Sequence, residues 1–172
     1  NSAAQIQLFE ALGAKAPVMG HMALLAGVDG EGLSKRLGSL SIRELRTKGM
    51  EPVAIASLLS RIGTADPVEV QANMTSIIAG FDINRFGRAI AKFDPAELEK
   101  INSQLIQDMP FDMVKDQLAS NDIGGGALFW ETVRGNIGVV SEAKVWWDIC
   151  TGEIVPVIDS NEVTDAAAVL LP

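Results

Sequence analysis

The chain has 172 residues, 48% of them apolar, and a formal net charge of −8. That length holds one core or two small ones. No apolar run approaches the ~20 residues of a membrane span, and no signal-peptide pattern opens the chain. The single cysteine excludes an internal disulfide framework and fits a reducing compartment, and His21 with Cys150 does not make a zinc site. The charge is graded along the chain: residues 1–92 carry +2, residues 93–120 carry −4 and residues 121–172 carry −6. An acidic protein repels nucleic acid at long range, so only the first half can offer phosphates a basic surface.

Ala3 to Leu12 has apolar residues at helical spacing, with Gly13 as the stop. Gly20 to Ala26 (GHMALLA) is short, apolar and opened by glycine, which predicts a buried strand. Gly27 to Gly32 (GVDGEG) is a loop whose three glycines allow wide backbone freedom. Ser41 and Glu44 form a capping box for a short helix that Gly49 ends. Pro52 starts a helix that stops at Gly63, and Glu69 to Ala79 is read as another. Asp94-Pro95-Ala96-Glu97 is the strongest helix start in the chain, combining a cap, a first-turn proline and an acid at the positive end of the dipole. That helix runs to about Asp108, and Pro110 opens one more to about Leu118.

Gly124-Gly125-Gly126 is the best linker candidate. Helices are expected at Leu128 to Val133, at Ser141 to Cys150 with Ser141 as cap and Gly152 as stop, and at Asn161 to Leu171. The expected architecture is mainly α, a small α/β portion followed by helical bundles. A start at Asn1-Ser2-Ala3 without methionine and an apolar end at Val169 to Pro172 are what a piece of a longer protein would show. A lone strand cannot satisfy its own backbone, so a region upstream is expected to complete the sheet.

Four groups of residues could carry chemistry. Ser34-Lys35-Arg36, next to the glycine-rich loop, lacks the Gly-Lys-Ser/Thr of a Walker A loop. A mobile loop with free amides and a lysine still suits polyphosphate, because charge develops on phosphate oxygens during transfer. The alternative is a solvated turn with incidental cations. Arg43, Arg46 and Lys48 lie on one short helix, and Arg85, Arg88 and Lys92 repeat the spacing of three and four. Two such faces could meet a nucleic-acid backbone, or they could be plain solvated faces. His21 reads as a base or as a strand-edge histidine with satisfied hydrogen bonds. Trp130, Trp146 and Trp147 could stack on bases, but in an acidic third they read as core, with Cys150 buried beside them. The pairs Asp94/Glu97 and Asp112/Asp116 are accounted for by capping and exposed faces.

Taken in order, LFEALG, then Gly20-His21-Met22, the glycine loop and Leu33-Ser34-Lys35-Arg36 resemble the end of the catalytic domain of bacterial glutamyl-tRNA synthetases, a class I family. The tetrapeptide matches the last four positions of the class I signature Lys-Met-Ser-Lys-Ser. The likeness continues through FDINRFGRAIAKFDPAELEKINSQLI and, more weakly, FWETVRGNIGVVSEAKVWWDI. The resemblance implies an enzyme that activates glutamate with ATP and Mg2+ and transfers it to tRNA, monomeric, cytoplasmic and without a membrane partner. It implies that Leu33, Ser34, Lys35 and Arg36 bind ATP, with Lys35 stabilising the triphosphate as pyrophosphate leaves, and that no resident metal is held. It makes Arg43, Arg46, Lys48, Arg85 and Arg88 candidate tRNA contacts.

By the same likeness, residues 1–40 close a Rossmann-type catalytic domain, 41–122 form a helical stem-contact region, and 123–172 begin an incomplete anticodon-binding bundle. Gly32 departs from the pattern, standing where the signature's first lysine would be. The family's two-histidine ATP motif is absent, since His21 is the one histidine, so this polypeptide is expected to be inactive alone. A non-catalytic helical RNA-binding or adaptor protein is the competing reading.

Overall fold

The computed structural model describes residues 1–33, 41–153 and 168. Among them are eight α-helices and two three-residue strands, so the expectation of a mainly helical chain with a small sheet holds. The expected helix at Asn161 to Leu171 lies, apart from residue 168, outside the described residues, and Ser34, Lys35 and Arg36 lie outside them as well. The chain divides into two compact units, Asn1–Leu105 and Ile106–Pro172.

In the first unit, α1 (Ser2–Ala11) ends at Leu12, and Gly13 follows with φ +72°. None of its residues is buried. Strand β1 is Leu25–Gly27, much shorter than the predicted Gly20 to Ala26; Met22 and Leu24 are exposed and only Ala26 is buried. Its partner is β2 (Ala91–Phe93), which runs parallel with Leu25 opposite Ala91 and Gly27 opposite Phe93. Strand β1 therefore has one partner within the chain; whether an upstream region adds further strands is outside the described residues. The sheet forms within the chain, because β2 buries Ala91 and Phe93 while Lys92 faces out.

Between the strands lie α2 (Ile42–Thr47), α3 (Pro52–Leu59) and α4 (Met74–Ala79). The capping box on α2 is formed as read: Glu44 N–H donates to Ser41 Oγ at 3.2 Å and Ser41 N–H to Glu44 Oε2 at 3.1 Å. Pro52 is the first residue of α3, which buries Ala54, Ser57 and Leu58. Helix α4 begins at Met74 rather than Glu69, capped by Asn73, whose side chain accepts from Ser76 N–H at 2.9 Å. The residues before it are held otherwise: Gln71 N–H donates to the buried Ser57 hydroxyl at 3.3 Å. Helix α5 (Pro95–Asp108) starts where the signal placed it, with Asp94 accepting from Ala96 N–H at 2.9 Å. Its buried Asn102 accepts from Glu51 N–H at 2.8 Å, at the start of α3.

The second unit contains α6 (Phe111–Ser120), α7 (Gly126–Val133) and α8 (Ala143–Thr151), and Trp130 on α7 is fully buried. The indole N–H donates to Met109 O at 2.7 Å, and Arg134 Nη1 donates to the same oxygen at 3.1 Å. Burying the ring removes a large apolar surface from water while its one donor stays satisfied. Ser141 does not cap α8. It sits in a 3₁₀ turn, Val140–Glu142, and Glu142 instead accepts from Gly138 N–H at 2.7 Å.

The triple glycine is not a linker. A Cβ at Gly124 would stand 2.6 Å from the Trp147 ring and one at Gly125 2.8 Å from it. Glycine is required there because the indole lies against the backbone, with Phe129 meeting it edge-on at 5.2 Å. Trp146 and Cys150 are exposed, which corrects their reading as core.

Candidate functional site

The Gly27–Gly32 segment is held as a hydrogen-bonded turn. Gly27 N–H donates to Glu31 O at 2.8 Å and Gly30 N–H to Gly27 O at 2.9 Å. Ala26 and Gly32 form an antiparallel bridge. Asp29 Oδ1 accepts from Glu31 N–H at 2.9 Å, the turn in which an aspartate oxygen takes the place of a backbone acceptor. Gly30 has φ +85°, a conformation that costs glycine nothing. The sequence reading passes over Asp29, although an Asp-Gly pair carries the composition of such a turn. Leu33, exposed, is where the described part of the segment ends; Ser34, Lys35 and Arg36 lie beyond it.

The chain resumes at Ser41 with α2, whose Arg43, Arg46 and Lys48 are all exposed. Leu45 is the residue that α2 buries, so the two arginines, three apart, sit on the side away from the core. Among the described residues none of these three cations is in an ion pair.

The second cationic group differs. Arg85 ends a 3₁₀ turn, Arg88 is in a loop and Lys92 is on β2, so the helical face expected for them does not form. The spacing of three and four has meaning only inside a helix. Arg85 Nη2 lies 2.7 Å from Asp66 Oδ1, and Arg61 Nη1 lies 3.3 Å from Asp66 Oδ2 while also donating to Gly80 O at 3.1 Å. One carboxylate thus bridges two guanidiniums and ties together the segments after α3, after α4 and before β2. His21 is exposed, and its Nε2 lies 3.3 Å from Ser2 Oγ.

The first unit also holds an open cavity of about 640 Å³ between Met22, Leu59, Ile78, Phe81 and Phe86. Its described lining is apolar except for Ser60 and offers nothing to a phosphate. Among the described residues no cluster of three or more His, Cys, Asp or Glu side chains could hold a metal, and no helix is long and apolar enough to cross a membrane.

Residues 1–100 match the family described as "tRNA synthetases class I (E and Q), catalytic domain". Over its whole length the chain is 48% identical to Glutamate--tRNA ligase 1 of Maricaulis maris and 45% identical to Glutamate--tRNA ligase 2 of Methylorubrum populi, covering 39% of each. In fold it is similar to the solved glutamate tRNA ligase of Elizabethkingia meningosepticum, with a TM-score of 0.67 and 21% identity over 96% of this chain and 38% of that one. The chain therefore spans about two fifths of the length of the relatives it matches.

Proposed function

The chain belongs to the class I tRNA synthetases of the E and Q type, and from that premise we propose that it is part of a glutamate–tRNA ligase, supplying the ATP-phosphate segment and tRNA-facing helices. The observation that carries this reading is the likeness to glutamate–tRNA ligases along the entire chain, at 48% identity with one of them. A borrowed RNA-binding segment would not preserve the catalytic-domain portion and the helices after it together.

In this reading the whole enzyme joins glutamate and ATP, with Mg2+ accompanying the nucleotide, to an adenylate and then transfers the acyl group to tRNA. Residues 1–40 end the catalytic domain, 41–122 contact the tRNA stem, and 123–172 belong to an anticodon-binding bundle. Leu33, Ser34, Lys35 and Arg36 lie along the ATP phosphates. The Lys35 ammonium stabilises negative charge that builds on the phosphate oxygens as the carboxylate attacks and pyrophosphate departs. Gly32, in the signature's first-lysine position, leaves Lys35 and Arg36 as the cations of that segment.

Arg43, Arg46 and Lys48 face the tRNA backbone. Their exposure and lack of ion-pair partners among the described residues support this, since an unpaired guanidinium gives its full attraction to phosphate. Arg88 joins them, and Arg85 does so while paired with Asp66, which reduces its share.

The test is Lys35→Ala in the full-length protein, assayed by ATP–pyrophosphate exchange with glutamate and tRNA present. Exchange falls by orders of magnitude, roughly the 10²–10³-fold lost with a donor to a charged transition state, while tRNA affinity holds. Undiminished exchange would sink the assignment of residues 33–36.

A further inference from the structure

We propose that Asp66 holds Arg85 back from nucleic-acid phosphate, and so limits how tightly the first unit binds tRNA. The inference rests on the reading that exposed cations of this unit meet the tRNA backbone, and it adds a residue that restrains one of them. Two guanidiniums converge on one carboxylate: Arg85 Nη2 is 2.7 Å from Asp66 Oδ1, and Arg61 Nη1 is 3.3 Å from Asp66 Oδ2. Arginines take a phosphate in the same way, each cation on its own oxygen. Asp66 fills the anion's place with a group of the protein itself.

The carboxylate is not needed to hold these segments together. Gly87 N–H donates to Gly63 O at 2.8 Å, which joins the same two stretches of chain through backbone alone. Arg61 has a second acceptor in Gly80 O at 3.1 Å, and a Cβ at Gly80 would stand 2.9 Å from its Nη2, so the guanidinium lies against that glycine. Asp82 accepts from Asn84 N–H and Asn84 Nδ2, both at 2.9 Å, and caps the turn that carries Arg85. Arg85 therefore keeps its backbone place without Asp66. The Arg85 side chain is 54% exposed and that of Asp66 20%, and a pair so open to water contributes little to stability. What the carboxylate does change is the charge that an incoming phosphate meets. A free arginine attracts phosphate fully, whereas one in contact with an acid brings that acid's repulsion with it. Asp66 is itself held for this role: its N–H donates to Thr64 Oγ1 at 3.1 Å, and that hydroxyl donates to Arg61 O at 2.8 Å. Backbone contacts carry no sequence information. Weakening one lowers affinity for all RNA alike and shortens the time a product stays bound.

The experiment is a titration of tRNA onto the full-length protein, between about 50 and 200 mM salt. Asp66→Ala is expected to bind about three- to tenfold more tightly at low salt, with the slope of log affinity against log salt steeper by about 1. The gain shrinks as salt rises. Asp66→Asn keeps the size and loses the charge; it gains in the same direction, and it carries the test if the alanine variant does not fold. Arg85→Ala placed on Asp66→Ala removes the gain, because no guanidinium is left to be freed. Glu69→Gln controls for net charge: it removes an exposed acid three residues away, leaves Arg85 paired and leaves the slope unchanged. Lost structure weakens binding, so tighter binding with a steeper slope is not what a merely structural role for Asp66 would give.

Unchanged or weaker binding in both Asp66 variants overturns the proposal. So does a gain that survives Arg85→Ala, or an equal gain from Glu69→Gln. Arg43→Ala with Arg46→Ala, run in parallel, separates the two readings. If neither that double variant nor the Asp66 variants alter the slope, the assignment of this unit's cations to tRNA fails. If the double variant flattens the slope while the Asp66 variants gain nothing, only the restraint by Asp66 fails.

Discussion

The two units are held together in different ways. The second, Ile106–Pro172, is built around one large aromatic side chain. Trp130 is fully buried, and Val114, Leu118 and Val133 are buried in the same unit. In the first, Asn1–Leu105, a two-stranded sheet of three residues per strand supplies little area, and polar ties do much of the positioning. Asn102 holds the start of α3, Ser57 holds the chain before α4, and Asp66 bridges Arg61 and Arg85. Charge follows the same division: residues 1–105 carry no net charge and residues 106–172 carry −8. Apolar burial supplies stability without direction, whereas hydrogen bonds fix direction at modest net gain. The portion proposed to meet phosphates is the one that relies on directed contacts.

This contrast can be broken by substitution. Trp130→Ala should cost most, about 3–5 kcal/mol, since it opens a cavity and removes the donor to Met109. Urea denaturation followed by circular dichroism reads the loss, and a cost under about 1 kcal/mol would show that the second unit does not depend on its aromatic centre. Asn102→Ala in the first unit should cost about 1–3 kcal/mol, because the Glu51 amide is left without its acceptor. A cost matching that of Trp130→Ala would erase the distinction between the two kinds of interior.

Arg43→Ala combined with Arg46→Ala should weaken tRNA binding about tenfold at low salt and reduce the slope of log affinity against log salt by about 1–2. An unchanged slope would return these arginines to the status of a solvated face. Arg85→Ala should do least, under about 1 kcal/mol in stability, because its bridge to Asp66 is half-exposed and screened. Its effect on the salt slope should also be smaller than that of either α2 arginine. A larger one would mean that Asp66 does not restrain it.

Much of the helical frame was legible because its signals are local. Ser41 with Glu44, Pro52, Asp94-Pro95 and Pro110 each announce a helix through chemistry within four residues, and each helix begins there. What failed depended on distant partners. Ala91-Lys92-Phe93 carries no strong strand pattern and becomes one because Leu25 to Gly27 lies alongside. The residues after Glu69 have helical composition but are drawn off by Ser57, 14 positions before Gln71. Three glycines in a row look like a hinge until Trp147 is laid against them. At the site, the exposure of Arg43 and Arg46 followed from the capping box and periodicity. The Arg85, Arg88 and Lys92 series misled because its period was counted without a helix beneath it.

The bond from Asn102 to the Glu51 amide also bears on the order of folding. The two residues are 51 positions apart, so closing that loop has an entropic cost before the bond can form. An eight-residue helix such as α3 is too short to persist in water by itself. The bond from α5 is one of the contacts that hold its first turn. Helix α5, longer at 14 residues and strongly started at Asp94-Pro95, is therefore expected to form ahead of α3, and pulsed hydrogen exchange that protected the α3 amides first would refute that order.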